Sequence, residues 1–263
     1  SRVVYNESLR FAFPNAFYTR STFMEDWHPI EVKQVKASTL DWFPYASYNH
    51  NLRGSDDTDD ANVGLDFIWR PNSNTQLTGA LNPDFGQVES DDLVVNFSAF
   101  ETFVSEKRAF FTENQGLFNS AQPNEDVVLY TRRIGAGVDK GLLDVDVAAK
   151  LTHYGKTVDM GLFAVKEDTS GESAGGEFIS SRIQRKSNNL AVGHRLTHVT
   201  RNFLEREATV QGVDVRWDSS DKVRVAAQIL HSDIHQKAND NNDYQSVDQQ
   251  DYAGWVNWSY TPS

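Results

Sequence analysis

Cysteine is absent from the 263 residues of the chain. Disulfide bonds, thiolate metal sites and cysteine nucleophiles are therefore excluded, whereas the redox compartment stays open. The sequence also has no run of 18 apolar residues, so it contains no transmembrane helix. Its mean hydropathy of -0.55 is typical of a soluble chain, but the polar lumen-facing residues of a membrane β-barrel lower the average in the same way.

Positive charge is scarce, because 25 Lys and Arg face 37 Asp and Glu and the formal net charge is -12. Without a basic stripe the chain has no means of binding phosphate backbones, which excludes nucleic acid as a partner. The chain also lacks a Gly-x-Ser-x-Gly nucleophile elbow, a phosphate loop and a dinucleotide fingerprint. Cations remain compatible partners of an acidic chain.

Aromatic residues are abundant at 12%, and from Ala61 onward apolar and polar residues alternate. In the first such stretch Val63, Leu65 and Phe67 share one face, whereas Asp66 lies on the other. We count about nine candidate strands of about ten residues each, the length that a tilted strand needs to cross a bilayer. A soluble antiparallel sandwich or barrel is the alternative, since alternation alone does not separate the two.

The predicted fold class is all-β, an antiparallel transmembrane β-barrel with an internal plug-like segment, and we expect the barrel to be incomplete in this chain. Residues 1–60 are predicted to be an irregular linker before the barrel, and residues 61–263 to form the barrel domain. The long connections at 82–126, 167–188 and 233–250 do not alternate strictly with the short turns. We therefore expect either a miscounted strand or a segment 82–126 that lies inside the barrel as a signature loop or plug.

Four blocks in and after this segment carry a recognisable pattern, and their members are Asn82-Pro-Asp-Phe-Gly-Gln-Val-Glu89, Phe100-Glu101, Glu106-Lys-Arg-Ala-Phe-Phe111 and Tyr130-Thr-Arg-Arg-Ile-Gly135. Together they resemble a family of bacterial outer-membrane proteins that join an N-terminal module similar to carbohydrate-binding family 9 to a C-terminal β-barrel domain of unknown function. The resemblance covers roughly residues 38–263. The chain departs from the family at Ala109, where a proline is common, and at Val104, where an aromatic residue is common.

The resemblance implies a location in the bacterial outer membrane and a link to polysaccharide through the N-terminal module. It leads us to expect further sequence on both sides of the chain. The signature residues that it singles out are Asn82, Asp84, Phe85, Gln87, Glu89, Asn96, Glu101, Glu106, Lys107, Arg108, Phe110, Phe111, Glu113, Arg132 and Arg133.

The acidic residues of the signature allow three interpretations. Asp84, Glu89, Asp91 and Asp92 could bind Ca²⁺ through hard oxygen ligands, although they lack EF-hand spacing. A pair of carboxylates, with Glu89 and Glu106 as candidates, could hydrolyse glycosides if the two lie about 5–10 Å apart. In the third interpretation the carboxylates form ion pairs inside the barrel with Arg108, Arg132 and Arg133, over the phenylalanines, because confined charges need partners.

The sequence thus predicts an outer-membrane β-barrel protein that serves transport, anchoring or scaffolding in the cell envelope, with outer-membrane lipid as its surroundings. Polysaccharide or other envelope proteins are the expected partners. No catalytic residue is assigned, and the one cofactor considered is Ca²⁺. The alternative functions are a glycosidase-like hydrolase that uses the signature carboxylates and a subunit of a larger envelope complex.

Overall fold

A computed structural model describes residues 2–4, 9–11, 38–53, 56–83, 105–118, 128–135, 143–169, 175–220, 222–238 and 245–261 of the chain. Strands β1 (Arg2–Val4) and β2 (Leu9–Phe11) pair antiparallel in a small sheet of their own. Every other strand in these ranges belongs to one large sheet.

The large sheet contains ten strands within the described ranges, and each pairs antiparallel with its neighbour in the sequence. The strands are β3 (Thr39–Arg53), β4 (Asp56–Asn72), β5 (Thr75–Leu81), β6 (Val145–Tyr154), β7 (Val158–Glu167), β8 (Gly176–Lys186), β9 (Leu190–Arg201), β10 (Arg206–Ser220), β11 (Val223–Gln236) and β12 (Val247–Tyr260). This meander confirms the predicted all-β antiparallel fold class.

The two faces of the sheet differ in cover and in chemistry. In β7, for example, Asp159, Phe163 and Glu167 point to a buried face, whereas Met160 and Leu162 point to the opposite, exposed face. This follows from the two-residue period of a strand. We call the first the inner face and the second the outer face. Paired residues on neighbouring strands lie on the same face, so both faces continue across the sheet.

Four short turns lie at one end of the sheet. They join β4 to β5, β6 to β7, β8 to β9 and β10 to β11, whereas the longer connections after β5, β7 and β11 lie at the opposite end. In the turn after β6 the Gly155 amide donates to the Val158 carbonyl at 2.9 Å. The connections after β3 and β9 are also short but lie at the end of the long connections, so all long connections share one end although short and long connections do not alternate strictly.

Three sequence assignments are corrected. The connection predicted at 167–188 contains β8, which was missed because both of its faces mix apolar and polar residues. The sequence of residues 127–132 also predicts a short strand, and this prediction is wrong where the residues are described, since Thr131–Arg133 form a 3₁₀ turn. Residues 39–53 and 56–60, predicted to be irregular, are strands of the large sheet. The placement of a domain boundary near residue 60 stays a prediction.

The core lies between the inner face of β6, β7 and β8 and residues 105–118, which we call the inner segment. Two short α-helices occur within it, α1 (Ala109–Thr112) and α2 (Gln115–Phe118). A further 3₁₀ turn, Asn202–Leu204, joins β9 to β10. Among the described residues, no helix has the length and apolar character needed to cross a membrane.

Candidate functional site

A buried ion pair anchors the inner segment. Arg108 contacts both carboxylate oxygens of Glu106, with Nε 2.9 Å from Oε1 and Nη2 2.7 Å from Oε2. The same guanidinium donates to the carbonyls of Thr131 and Ile134, each at 2.8 Å, and the Thr131 hydroxyl donates to Glu106 at 2.7 Å. Since the Glu106 and Arg108 side chains are 3% and 7% exposed, the pair is shielded and satisfied by several neutral partners.

The surroundings of Glu106 favour its ionised form. Burial alone would raise its pKa, but hydrogen bonds from the Arg108 guanidinium, the Thr131 hydroxyl and the Arg108 amide outweigh the burial. The pKa of Glu106 therefore lies below its ordinary value. A general acid needs a raised pKa, so this carboxylate is suited to holding structure rather than to donating a proton.

Aromatic packing attaches the inner segment to the sheet. The rings of Phe110, Phe111 and Phe118 surround Phe163 of β7 at centroid distances of 6.1, 5.7 and 6.2 Å. Arg108 also lies 4.1 Å from the centroid of the Phe111 ring. These contacts bring Phe110 and Phe111, two of the predicted signature residues, into the core of the molecule.

Lys150 of β6 adds a polar attachment. Its ammonium donates to the carbonyl of Glu113 at 2.6 Å and to the carbonyl of Phe110, and it lies 5.0 Å from the centroid of the Phe110 ring. The backbone at the end of α1 is thus capped by a side chain of the sheet, because last-turn carbonyls have no partner within the helix itself. Sequence alternation places Lys150 on the polar face of its strand without indicating this contact.

A second buried carboxylate, Glu167, holds the turn that follows the inner segment. Its two oxygens accept from the amides of Gly135 at 2.8 Å and Gly176 at 2.7 Å, and from Arg201 at 2.9 Å. Arg201 in turn donates to the carbonyl of Arg133 at 2.7 Å. Glu167 is completely buried, and through these three partners it connects the turn at residues 131–135 to β8 and β9. Sequence analysis missed Glu167 and Arg201, which stand at inward positions at the ends of β7 and β9, beside other inward charges such as Asp159 and Arg195.

Farther along the inner face, charged side chains form cross-strand pairs. Lys186 contacts Asp159 at 2.7 Å, Arg224 contacts Asp218 at 2.6 Å, and both terminal nitrogens of Arg182 contact Asp214. The face is therefore polar and charged where the inner segment does not cover it with aromatic rings. This is the reverse of a water-soluble sheet, whose buried face is apolar.

Asn82, the first signature residue, stands where the chain leaves β5. It adopts a left-handed conformation with φ 48°, which asparagine tolerates better than most residues. Its amide donates to the carbonyl of Asp146 at 2.7 Å, and its side chain donates to the carbonyl of Val63 at 2.8 Å. Tyr45 donates to the Asn82 carbonyl from the inner face of β3. Asn82 thus fixes the exit of the signature segment.

The structure brings only part of the predicted site together. Glu106, Arg108, Phe110, Phe111 and the Glu113 carbonyl meet in one cluster, while Lys107 and Arg133 are exposed and Arg132 is half-buried. The predicted residues that lie outside the described ranges are Asp84, Phe85, Gln87, Glu89, Asp91, Asp92, Asn96 and Glu101. The Ca²⁺ and glycoside interpretations depend on these residues and stay predictions.

One group of possible metal ligands occurs among the described residues. Ligand atoms of Asp233, His235 and Asp248 all lie within 4.8 Å of one another at the long-connection end of β11 and β12. Nε2 of His235 lies 3.0 Å from Asp233 and Nδ1 lies 3.2 Å from Asp248, so the imidazole already contacts both carboxylates.

Fold and site together define an all-β protein with one meandering antiparallel sheet, whose charged inner face is covered by a fastened inner segment. Residues 37–176, more than half of the chain, match a family described as a domain of unknown function, DUF5916. The chain belongs to this family. The match runs from the start of β3 to the first residue of β8 and includes the inner segment.

Among solved structures, the chain is similar to the loop L8 deletion mutant of OmpT, an outer membrane protein of Vibrio cholerae. The identity is 10%, the TM-score is 0.39, and 86% of this chain and 90% of that chain are covered. The in-vitro folded trimer form of OmpT gives 12% identity and a TM-score of 0.30, with 86% of this chain and 100% of that chain covered. No curated protein matches the chain.

Proposed function

We propose that the chain forms the wall of a bacterial outer-membrane β-barrel, with the inner segment as a fixed plug in the lumen, and that the protein acts as an anchor or scaffold rather than as an open pore. The observation that carries the proposal is the reversed polarity of the sheet. Exposed aliphatic and aromatic side chains cover its outer face, while the inner face holds buried charges.

The outer face offers lipid a continuous apolar surface on β10, β11 and β12. Ile229, Val256 and Trp258 are 67%, 76% and 66% exposed. In β12 the surface extends from Tyr252 to Tyr260, which matches the about 9–11 residues that a tilted strand needs to cross a bilayer. Apolar patches of this extent are rare on soluble monomers. Aromatic residues near both ends of the stretch are typical of the girdles of membrane barrels.

The ends of the sheet support an orientation. Outer-membrane barrels have short turns on the periplasmic side and longer loops on the outside. The short turns between β4 and β5, β6 and β7, β8 and β9, and β10 and β11 would therefore face the periplasm. The signature segment leaves and re-enters the sheet at the opposite end, which faces the exterior in this orientation.

The fastening of the inner segment supports the role of anchor or scaffold. Phe163, Lys150, Glu167 and the Glu106–Arg108 pair hold it or the turn after it at several independent points. A segment held in this way obstructs diffusion along the inner face of β6 to β8. Outer-membrane lipid is the partner that the outer face fits. Other envelope proteins, and polysaccharide through a neighbouring module, are further partners that we propose on the family resemblance alone.

Fractionation and gel migration test the proposal. We expect the protein in the outer-membrane fraction of its native host, and we expect unheated samples in detergent to migrate faster than boiled ones, because a closed barrel resists denaturation. A protein that is soluble and monodisperse without detergent, with no difference between heated and unheated samples, would overturn it. For the role, reconstituted protein in planar bilayers should conduct little current, and a steady open-pore conductance would contradict the scaffold.

A further inference from the structure

The inner face of β7 to β11 carries more positive than negative groups, although the whole chain is acidic. Within these described strands, four carboxylates point inward and each has a cationic partner. The pairs are Asp159 with Lys186, Glu167 with Arg201, Asp214 with Arg182, and Asp218 with Arg224. Arg195 is an inward-facing cation for which these strands offer no carboxylate of its own.

Arg182 and Arg195 are direct register partners on β8 and β9. Like charges directly opposite each other in a sheet are destabilising. Arg182 reaches across β9 to Asp214. Its guanidinium occupies the space that a Cβ atom at Gly193 would need. Glycine at 193 therefore allows both oxygens of Asp214 to accept hydrogen bonds from Arg182, so Asp214 acts on Arg195 through its charge alone.

Arg195 is only 4% exposed, and its Nε and Nη2 atoms are buried without a hydrogen-bond partner in the part of the chain that the structure describes. Apolar side chains cover the row of paired residues to which Arg195 belongs: Leu117 and Phe118 lie over Gly161, two strands away, and Leu230 lies over Gly212 on the adjacent strand. A buried guanidinium in apolar surroundings is costly unless an anion or several hydrogen bonds compensate it.

We propose that Arg195 is the central ligand of an oxyanion-binding site on the inner face, taking a phosphate or carboxylate group of a bound solute. Nε and Nη2 lie on one edge of the guanidinium, and this edge matches the two oxygens of such a group in a bidentate contact. Both donor atoms are shielded from water, so binding requires local opening of their cover, and we expect slow exchange.

Inorganic phosphate is the probe for the test, with chloride at equal ionic strength as the reference. A ligand that binds only the folded state stabilises it in a saturable way. We expect phosphate to raise the thermal midpoint of the purified protein saturably above its value in chloride. Arg195→Gln should raise the apparent dissociation constant for phosphate, read from this dependence, at least about tenfold, because it removes the charged edge that binds two oxygens. Arg195→Lys, which keeps the charge but not the edge, should weaken it less.

Arg224→Gln is the matched control, because Arg224 already has Asp218 as a partner, and it should keep the full phosphate dependence. Without phosphate, Arg195→Gln should be at least as stable as the parent protein, since the substitution removes a buried charge whose Nε and Nη2 atoms have no hydrogen-bond partner among the described residues. A purely structural arginine predicts a loss of stability. Should Arg195→Gln fail to fold, Arg195→Lys decides. The proposal is overturned if phosphate has no effect beyond chloride, or if Arg195→Gln keeps the effect. Neither outcome depends on the membrane location of the protein.

Discussion

At the scale of single residues, buried charge is the feature that most constrains this protein. Glu106 and Glu167 are enclosed acids, and each is surrounded by donors that the backbone and an arginine supply together. Such arrangements add little net stability compared with apolar packing, but breaking one partner is expensive. They therefore fix the position of the inner segment more than they add to the total stability.

We predict that Glu106→Gln lowers the free energy of unfolding by about 3 kcal/mol, because Arg108 then remains buried without a counter-charge. Limited trypsin digestion should show faster cleavage after Lys107 or Arg108. Glu177→Gln is the control, since Glu177 is exposed and lies 3.8 Å from Lys166, and it should change stability by less than about 1 kcal/mol. Equal stability of the two variants would show that the buried pair is not needed.

Stability should also depend on pH through Glu106. The pKa of Glu106 is lower in the folded protein than in the unfolded chain, so its contribution is complete above the unfolded value of about 4.3. It is lost as the pH falls through the folded pKa. We therefore expect the free energy of unfolding of the parent protein, measured from denaturation curves, to fall below about pH 4.3. The Glu106→Gln variant should lack the part of this fall that comes from Glu106. Identical pH profiles would contradict the assignment.

At the scale of elements, the inner segment has too little regular structure to hold itself. Its helices α1 and α2 have four residues each, far below the about 12–15 that an isolated helix needs in water. Its order therefore comes from side chains of the sheet, mainly Phe163 and Lys150.

We predict that Phe163→Ala releases the inner segment from the sheet. The substitution removes the ring around which Phe110, Phe111 and Phe118 pack, at a cost of about 3–5 kcal/mol. The measurement is hydrogen exchange of residues 105–118, which should become much faster while the strands stay protected. Leu162→Ala, one residue away on the exposed outer face, should leave this exchange unchanged. Uniform loss of protection across the sheet would instead show that segment and sheet unfold as one unit.

The positions of most strands were predictable because alternation is a local property, and β7 and β11 show it clearly. β8 was missed because Phe178 faces inward while Ile179 faces outward, so neither face is recognisable from composition alone. Within the site, Glu106 and Arg108 were found through their motif. Glu167 and Arg201 were not, because their meeting depends on the register between β7, β8 and β9, which no short motif encodes.

At the scale of the whole molecule, the reversed polarity of the sheet resolves a conflict in the composition. A mean hydropathy of -0.55 and a net charge of -12 indicate a soluble protein, yet 22 large hydrophobic side chains are exposed in the described residues. Most of them share the outer face. Averages hide this separation, because a strand divides its residues equally between two environments.

We predict that Ile229→Lys prevents stable assembly in the membrane, whereas Asn257→Lys on the inner face of β12 does not. A lysine near the bilayer midplane of a barrel costs about 2–4 kcal/mol, whereas substitutions that face the lumen are tolerated. The heat-modifiable fraction in purified outer membranes measures the difference. Equal assembly of both variants would show that the outer face does not meet lipid.

The exit and return of the signature segment have a consequence for assembly. Leu81 pairs with Val147, and the Asn82 amide bonds to the Asp146 carbonyl, so the chain leaves the meander and rejoins it at a single closed junction. Each strand from β3 to β12 can therefore pair with the preceding strand in sequence order. No strand has to insert between two strands that are already paired. The length of chain between Asn82 and Asp146 therefore does not set the register between β5 and β6, which the pairs from Thr75 with His153 to Leu81 with Val147 determine.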